Sequence, residues 1–494
     1  MKRHILHGMV LIGCVLAATQ DLSAQGYGAP LTMQQLNHRA ISSVESRSMG
    51  GISVGIVNDP SVMFVNPAAL STMDGIRFSI GAVDQQQDLR QTQEWMPLRS
   101  FPTFSLMMEG LLAGIPDPDL SNPPPEGLGP EDSIPRPYDQ IKPNWERSQQ
   151  RGLPLQATVA VPVEWEGLRI VGGLGAVQYA NLDYYFENRN VLSPSIGTQR
   201  PYGVPLPGIG QEVSVLWSQS SELRKGSING YGGAVSVGIS DELTVGISGL
   251  VLRGTSDDLE LSAARARIRF GNNNNVYYFK LDSLYSKTSR TGTSSFKGVE
   301  YTVSSLYRSR YITLSLSATL PTNIYRKFEG DTETDTTGVP SSAPVTMRDQ
   351  IRIPWRTTLG ISLNVREDLA VGLEYQARPF ATAEYKTGGV VTNPWVSGSG
   401  FGVGGRFTPI SWLTIAAGMR QESEVFQEQG APLIGEPVRY NVYSAGVQAL
   451  VSDFQINLAY EYAPVKYQDL WQTNVNLNLV RSHRVLASLS YTLR

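Results

Sequence analysis

Few side chains in this sequence have the types and spacing that catalysis or metal binding requires. A His-dependent nucleophile needs a base close to a Gly-x-Ser-x-Gly turn, and neither His38 nor His483 lies near one. The adjacent carboxylates at 257–258 and 367–368 fall in predicted loops or turns, where we expect water to solvate them. The acidic, Thr-rich segment 331–335 lacks the loop glycine and distal glutamate of a calcium loop. These observations predict a protein that is not an enzyme and that uses no metal or cofactor.

Turn-forming residues in the segment 25–74 are the other conspicuous group. Glycine permits a positive φ or the close approach of another segment, and Asn, Asp and Pro form tight turns whose side chains bond nearby backbone. The residues concerned are Gly50, Gly51, Asn58, Asp59, Pro60, Asn66, Pro67 and Ala68. What they do depends on the elements around them, and the rest of the chain indicates a β-sheet.

Alternation of apolar and polar residues runs through most of the chain after residue 75. In segment 311–320 every even-numbered residue is apolar, and the odd-numbered residues from Thr313 onward are Ser or Thr. Successive side chains of a strand point to opposite faces, so a period of two predicts strands with one apolar and one polar face. Segment 454–462 has a similar apolar face.

Short connections lie at one end of the predicted strands, and long connections lie at the other end. Six short turns lie near residues 164–167, 240–242, 308–310, 366–368, 410–411 and 452–453. Seven long connections span about 85–154, 187–226, 263–297, 329–350, 387–397, 427–436 and 473–477. The pattern predicts an all-β fold, a 14-stranded antiparallel transmembrane β-barrel with both chain ends on the periplasmic side and long extracellular loops.

Two features leave alternatives to this count open. An apparent extra strand at 102–112 would break the parity if it spanned the membrane, and we assign it to the first long loop. A soluble β-sandwich also alternates with a period of two. Long strands and sorted turn lengths favour the barrel over the sandwich.

Composition and charge exclude two other classes of protein. The chain has 494 residues, of which 41% are hydrophobic and 17% charged, and its net charge is −3. No run of eighteen apolar residues follows the N-terminal region, which argues against a helical membrane protein. No basic cluster stands out, which argues against nucleic acid as a partner.

The N-terminal 24 residues resemble an export signal. Lys2 and Arg3 precede an apolar run at 5–18, and cleavage is predicted after Ala24. An alternative is a lipoprotein signal in which Cys14 is acylated. Cleavage after Ala24 leaves no cysteine, and it divides the chain into a signal peptide 1–24, an N-terminal segment 25–74 and a barrel 75–494.

The turn residues of segment 25–74 also carry a family resemblance. Arg47-Ser48-Met49-Gly50-Gly51, Asn58-Asp59-Pro60-Ser61 and Asn66-Pro67-Ala68-Ala69-Leu70 resemble the N-terminal signature of the FadL family. These are outer-membrane transporters of long-chain fatty acids and other hydrophobic compounds, including aromatic hydrocarbons in the TodX branch. The resemblance implies a fourteen-stranded barrel whose lumen is blocked by an N-terminal hatch, here residues 25–74. Ordinary turns on the periplasmic side are the alternative.

The resemblance implies passive uptake of a fatty acid or of an aliphatic or aromatic hydrocarbon across the outer membrane of a Gram-negative bacterium. A fatty acid gains about 0.8 kcal/mol per methylene on leaving water, so it needs an apolar pocket and a sideways exit rather than a watery pore. We expect capture by the loops, movement of the hatch and lateral exit. The expected partners are this ligand, membrane lipid and lipopolysaccharide, and the barrel is expected to be monomeric. A PorV-like secretion scaffold and a general porin are the alternatives.

Candidate site residues follow from these expectations. The candidate pocket residues are Met63, Phe64, Val65, Leu106, Met107 and Leu111. The resemblance places a kink beside a lateral opening in the third strand, and Gly172, Gly173 and Gly175 are the candidates because strand glycines favour bends. Alternatively, these glycines line a crowded lumen, and the cluster near Leu106 packs within its loop.

Overall fold

A computed structural model describes residues 31, 34–38, 43–95, 145–193, 208–274, 276–336, 339–393, 395–424, 438–471 and 474–493. The predicted signal peptide 1–24 and the apparent strand at 102–112 lie outside these residues. Three of the candidate pocket residues, Leu106, Met107 and Leu111, also lie outside them.

The described chain is mostly β-strand, as the period of two predicts. Nineteen strand segments form one antiparallel sheet. They are β1 Ile76–Trp95, β2 Trp145–Trp165, β3 Leu168–Asn181, β4 Tyr184–Ser193, β5 Glu212–Gly238, β6 Leu243–Asn273, β7 Val276–Arg308, β8 Ile312–Thr319, β9 Thr322–Thr336, β10 Val339–Ile353, β11 Arg356–Arg366, β12 Leu369–Arg378, β13 Glu384–Thr387, β14 Val390–Thr392, β15 Gly398–Ile410, β16 Leu413–Glu424, β17 Val438–Val451, β18 Phe454–Trp471 and β19 Asn474–Leu493.

The sheet closes on itself into a barrel. β1 pairs with β2 on one side and with β19 on the other, from Ile76 opposite Leu493 to Trp95 opposite Asn474. Five of the nineteen segments (β4, β9, β11, β13 and β15) continue the segment before them after a short break, which leaves fourteen strands around the ring. The predicted fold class is confirmed.

All six predicted short turns join neighbouring antiparallel strands at one end of the ring. They connect β2–β3, β5–β6, β7–β8, β11–β12, β15–β16 and β17–β18. Glu166 and Gly167, with φ of 50° and 78°, form the first turn, and Ser452, with φ of 55°, lies in the last. β1 begins and β19 ends at this same end of the barrel.

The outer face of the barrel is apolar and the inner face polar. In β8, Ile312 and Leu314 expose 39% and 44% of their surface, while Thr313 and Ser315 expose 3% and 7%. In a water-soluble sandwich the apolar residues would be buried and the polar residues exposed, so the soluble alternative is excluded. Lipid is the solvent that suits such an outer face.

The described residues include four short helices, three before β1 and one between β12 and β13. α1 is Val44–Ser48, and Ser43 caps it by accepting a hydrogen bond from the Ser46 N–H at 3.1 Å. Two 3-10 helices follow at Pro60–Phe64 and Pro67–Thr72, and a third spans Phe380–Thr382. Among the described residues, no helix has the length and apolar character to cross a membrane.

Residues 43–74, hereafter the lumen segment, cross the interior of the ring. α1 contacts β16, β17, β18 and β19, whereas the 3-10 helix Pro67–Thr72 contacts β3, β5, β6 and β7. These two groups of strands belong to different sectors of the wall. The lumen segment therefore fills the space between them.

The main apolar core of the molecule surrounds the lumen segment. Met49, Ile52, Val54, Met63 and Leu70 are all completely buried. They cluster with inward residues of the wall, which include Ala160, Val171, Ile228, Leu250 and Ala416. The inner wall is polar in most positions, and these apolar wall residues lie where the segment packs.

Candidate functional site

Glycines of the wall make room for the backbone of the lumen segment. A Cβ atom added to Gly246 would lie closer than 3.0 Å to backbone atoms of Pro67 and Ala68, and one added to Gly404 would meet the backbone of Met49 in the same way. Backbone cannot move aside as the end of a flexible side chain can. The close packing of the lumen segment against the wall therefore requires glycine at these positions.

Gly50 and Gly51 form the turn that follows α1. Their φ angles are 71° and 86°, in the left-handed region. The Gly50 N–H donates to the Ser444 hydroxyl oxygen at 2.9 Å, and a Cβ on Gly50 would lie closer than 3.0 Å to backbone atoms of Met419 and Val403. Both a turn and a close approach thus require glycine at position 50.

The Asn58-Asp59-Pro60 turn caps a 3-10 helix and contacts the wall. Oδ1 of Asp59 accepts from the Ser61 N–H at 3.0 Å, which satisfies a free donor at the start of the helix. Oδ2 of the same carboxylate accepts from the Gln156 side-chain amide of β2 at 2.8 Å. Pro60 takes the first helical position, where it has no N–H to satisfy.

The second turn, Asn66-Pro67-Ala68, is held by two wall serines. The Ala68 N–H donates to the Ser304 hydroxyl at 2.8 Å, and the Ser236 hydroxyl donates to the Ala68 carbonyl at 3.3 Å. Among the described residues, the buried side-chain amide of Asn66 has no hydrogen-bond partner. Hydrogen bonds from side chains of the wall thus replace the ladder bonds that this backbone lacks.

A buried carboxylate, Glu461 of β18, anchors α1 to the wall. It contacts three guanidinium groups: Arg47 of α1, Arg420 at 2.5 Å and Arg484 at 3.5 Å. Glu461 is fully buried, and Arg47 and Arg420 are nearly so. Removal of one partner from a buried cluster leaves an uncompensated charge, so these groups should depend strongly on one another.

Two further carboxylates hold the middle of the lumen segment. Glu45 of α1 lies 3.4 Å from Arg406 of β15, whose guanidinium also donates to the Ile56 carbonyl at 2.8 Å. Glu374 of β12 accepts from the Ser53 N–H at 2.5 Å and from the Ser53 hydroxyl at 2.8 Å. The segment is therefore fixed along its length by polar contacts with the wall.

A cavity of about 320 Å³, hereafter the lumen cavity, lies on the long-loop side of the lumen segment. Its volume falls within the range of about 300–1,000 Å³ that is typical of small-molecule sites. Eight aromatic residues are among those that line it: Trp145, Tyr184, Tyr185, Phe186, Phe380, Phe401, Tyr440 and Tyr467. Side-chain amides and charged groups supply the polar positions. Such a lining suits a small molecule with an apolar body.

The lumen cavity contains only some of the predicted pocket residues. Val65, Gly50 and Gly51 line it, whereas Met63 and Phe64 do not. Met63 instead packs toward β3, where a Cβ on Gly173 would meet its sulfur atom. Met63 and Phe64 are buried members of the main apolar core, so the structure gives them a packing role instead of a place in the lumen cavity.

His38 lies at the edge of the lumen cavity and contacts Glu424 at the long-loop end of β16. The His38 Nε2 is 2.8 Å from Glu424 Oε2, and the Asn37 side-chain amide donates to the same oxygen at 3.3 Å. Burial lowers the pKa of His38, but the adjacent Glu424 carboxylate more than offsets burial, so the pKa is raised above its ordinary value of 6.5. Residues 37 and 38 are thus tied to the wall electrostatically.

The wall has a gap in its hydrogen-bond ladder between β2 and β4, hereafter the wall gap. β2 pairs with β3 only as far as Gln156 opposite Val177. Beyond this point, the described part of β2 pairs with β1 alone, while β4 pairs with β5. The chain leaves the strand at residues 182–183, after a register shift between Gln178 and Ala180. Trp145, Asp183 and Tyr185 flank the gap and also line the lumen cavity.

The predicted kink glycines lie before the wall gap rather than in it. Gly172, Gly173 and Gly175 are paired in register with both β2 and β5. Gly172 faces open space, while Gly173 faces the lumen segment. The irregularity therefore begins at Gln178, and Gly173 serves the packing of Met63 and Leu70, in agreement with the crowded-lumen alternative.

Side chains rather than backbone bonds close the wall gap. Arg151 of β2 forms an ion pair with Asp183 and donates to the Gly226 carbonyl at 3.1 Å. Nearer the long loops, the Trp145 indole N–H donates to the Glu187 carbonyl at 3.0 Å. Such contacts can break individually, whereas ladder hydrogen bonds break cooperatively along a strand.

Arg47, Glu461, Arg151 and Asp183 were not identified from the sequence as site residues. The alternation in β18 does place Glu461 on the inward, polar face. Its partner Arg47 lies 414 positions away, and local patterns carry no information about such a pairing.

Comparisons with known proteins agree on the fold. No family model matches the chain, and no curated protein is similar in sequence. A FadL homologue from Pseudomonas aeruginosa shares 13% identity with a TM-score of 0.59, over 92% of this chain and 98% of that chain. The P. putida toluene transporter TodX shares 14% identity with a TM-score of 0.52, over the same shares of the two chains. Identities this low establish the fold alone: the chain forms a barrel with the same fold as the FadL homologue and TodX.

Proposed function

We propose that this protein is an outer-membrane transporter for passive uptake of hydrophobic small molecules, long-chain fatty acids or hydrocarbons among them. The ligand enters from the long-loop side, occupies the lumen cavity and leaves sideways through the wall gap into the membrane. Residues 25–74 act as a hatch that closes the periplasmic route. The barrel works as a monomer surrounded by lipid and lipopolysaccharide, without a cofactor.

The observation that carries this proposal is the junction of the lumen cavity with the wall gap. Residues of β2 and β4 flank the gap, and several of them line the cavity. The gap begins beyond Gln156, where the exposed apolar residues of β2, such as Val161 and Val163, give way to polar ones. A hydrophobic ligand that leaves the cavity at this point emerges at the edge of the apolar outer face, next to membrane lipid, which favours its exit. The FadL homologue and TodX have the same fold, and TodX is described as a toluene transporter.

A cross-link across the wall gap tests this route. Cysteines at positions 151 and 183, joined by a short bis-maleimide, should abolish uptake of labelled oleate or toluene by cells that produce the protein. The matched control joins positions 269 and 282 on β6 and β7, where Arg269 and Asp282 form an ion pair at 2.6 Å beside a continuous ladder. Uptake that persists with the gap cross-linked would disprove lateral exit.

Two rival functions predict other results. A general porin should conduct small ions steadily in a planar bilayer, which the buried lumen segment disfavours. A PorV-like scaffold should co-purify with secretion components or cargo and retain no apolar ligand. Mass spectrometry after mild detergent extraction should instead find a bound fatty acid or hydrocarbon. Protein that is repeatedly ligand-free and secretion-associated would overturn the transport proposal.

A further inference from the structure

The outer face of the barrel carries two opposed cations that the transport function does not use. Arg253 of β6 stands directly opposite Lys297 of β7 in the ladder, and both side chains are exposed. On either side, Asn229 of β5 stands opposite Arg253, and Tyr325 of β9 stands opposite Lys297. Asn229, Arg253, Lys297 and Tyr325 thus form one row across four strands, hereafter the cationic row.

The cationic row lies at the outer boundary of the apolar face. Counting from the short turns, the outward residues of β6 before Arg253 are Leu243, Val245, Ile247, Gly249 and Val251. Those of β7 before Lys297 are Tyr307, Ser305, Val303, Tyr301 and Val299. Arg253 and Lys297 are therefore the first charged outward residues on their strands. In an outer membrane this is the depth of the outer-leaflet headgroups.

Within the described part of the chain, the two cations have no protein counter-charge. Among the residues that the structure describes, no carboxylate oxygen lies within 4.0 Å of either. The Arg253 guanidinium donates to the carbonyl of Leu252 at 3.0 Å, and the Lys297 ammonium lies 5.9 Å from the Tyr325 ring centre. One step farther from the membrane, by contrast, Lys327 pairs with Glu329 at 2.6 Å. Like charges directly opposite one another in a ladder are destabilising unless an anion is shared between them.

We propose that the cationic row binds a phosphate group of an outer-leaflet glycolipid such as lipid A. Arg253 and Lys297 would share the phosphate, since both donate to phosphate oxygens. The Asn229 amide and the Tyr325 hydroxyl would add neutral hydrogen bonds at the two ends of the row. Acyl chains would lie along Ile247, Val251, Val299 and Val303, which expose 39–54% of their surface. This inference rests on the outer-membrane position of the barrel and is independent of what the lumen transports.

The test compares two doubly substituted variants of the full chain in detergent. Arg253→Gln with Lys297→Gln removes the opposed cations, and Arg310→Gln with Arg366→Gln removes the same charge at the short-turn end. Binding of diphosphoryl lipid A, titrated by native mass spectrometry, should weaken about tenfold in the first variant and remain unchanged in the second. Chemically dephosphorylated lipid A should bind both variants equally.

Two results would overturn the proposal. Unchanged affinity in the Arg253/Lys297 variant would show that the row does not bind the phosphate. Equal weakening in both variants would show that only the overall charge matters. Thermal unfolding of the lipid-free variants verifies that each is folded, and uptake of oleate reports separately on transport.

Discussion

Individual glycines of the wall decide whether the lumen segment fits. Gly404→Ala should destabilise the protein by about 1–3 kcal/mol, the usual cost of overpacking, because the new methyl group would meet the Met49 backbone. Thermal unfolding in detergent measures this change, and ion conductance should rise as the segment is displaced. Gly172→Ala is the matched control, since its methyl group would face open space. Equal effects of the two substitutions would contradict this explanation.

Glu461 is the residue on which the anchoring of α1 most depends. Glu461→Gln leaves Arg47 and Arg420 without their shared carboxylate in a buried site, and we expect a loss of about 3–5 kcal/mol in unfolding free energy. The exposed pair Arg366–Asp368 provides the comparison, because Asp368→Asn should change stability by less than about 1 kcal/mol. Denaturant titration of both variants verifies the difference. Similar losses in the two variants would mean that the buried cluster contributes no more to stability than the exposed pair.

His38 makes the attachment near the lumen cavity dependent on pH. Its pKa is raised in the folded protein, so the contact with Glu424 is fully present below the ordinary pKa of 6.5 and is lost as the pH rises through the raised value. A spin label at Gln35 should therefore gain motion as the pH increases from about 6 to 9. In a His38→Gln variant the label should show no such dependence. A pH-independent label in the parent protein would refute this linkage.

At the scale of elements, the wall gap should divide β2 into two parts that differ in how well their amide hydrogens are protected from exchange with solvent. Along 157–160, β2 pairs with both β1 and β3, so amide exchange with solvent should be slow at every position. Along 145–155, only β1 is a partner, and every second amide should exchange quickly. Residue-resolved hydrogen exchange by NMR measures this alternation. Uniform protection across 145–155 would mean that β4 does pair with β2.

The strands were predictable because they depend on local sequence patterns, whereas the wall gap depends on the pairing of distant strands and was not predictable. Period two and turn chemistry are local, so the six short turns and fourteen strands follow from neighbouring residues. Where a ladder stops depends on register between strands, which no single segment encodes. The sequence drew attention to Gly172, Gly173 and Gly175 because glycine permits bends. In Gly173 the same lack of a side chain instead provides clearance for Met63.

Side-chain roles in the lumen segment were predictable only where backbone geometry decides them. Gly50 and Gly51 do adopt positive φ, and Asp59 does bond the backbone of its own turn. The wall residues that pack against Met63 and Phe64 determine how these two side chains are placed. The sequence of the lumen segment does not reveal which wall residues these are. Burial alone was foreseeable for them.

At the scale of the whole molecule, the barrel should survive without its contents. Closure through β1 and β19 involves no residue of the lumen segment. Deletion of residues 25–74 should therefore leave a folded barrel, recognisable by its β circular dichroism, that conducts ions far more than the parent protein. The Gly172→Ala protein serves as the closed reference. Unchanged conductance after the deletion would show that the segment does not block the lumen.

Alternation of exposed and buried side chains has a consequence for the chain before it folds. Because apolar residues occupy only every second position, no strand reads as a helical span while the polypeptide is threaded across the inner membrane, so translocation can proceed without arrest. The hydrocarbon-facing surface comes into existence only when the strands pair and all of those residues turn the same way. Before the strands pair, apolar and polar side chains alternate along the chain, so the unfolded chain has no continuous apolar surface that could bind lipid.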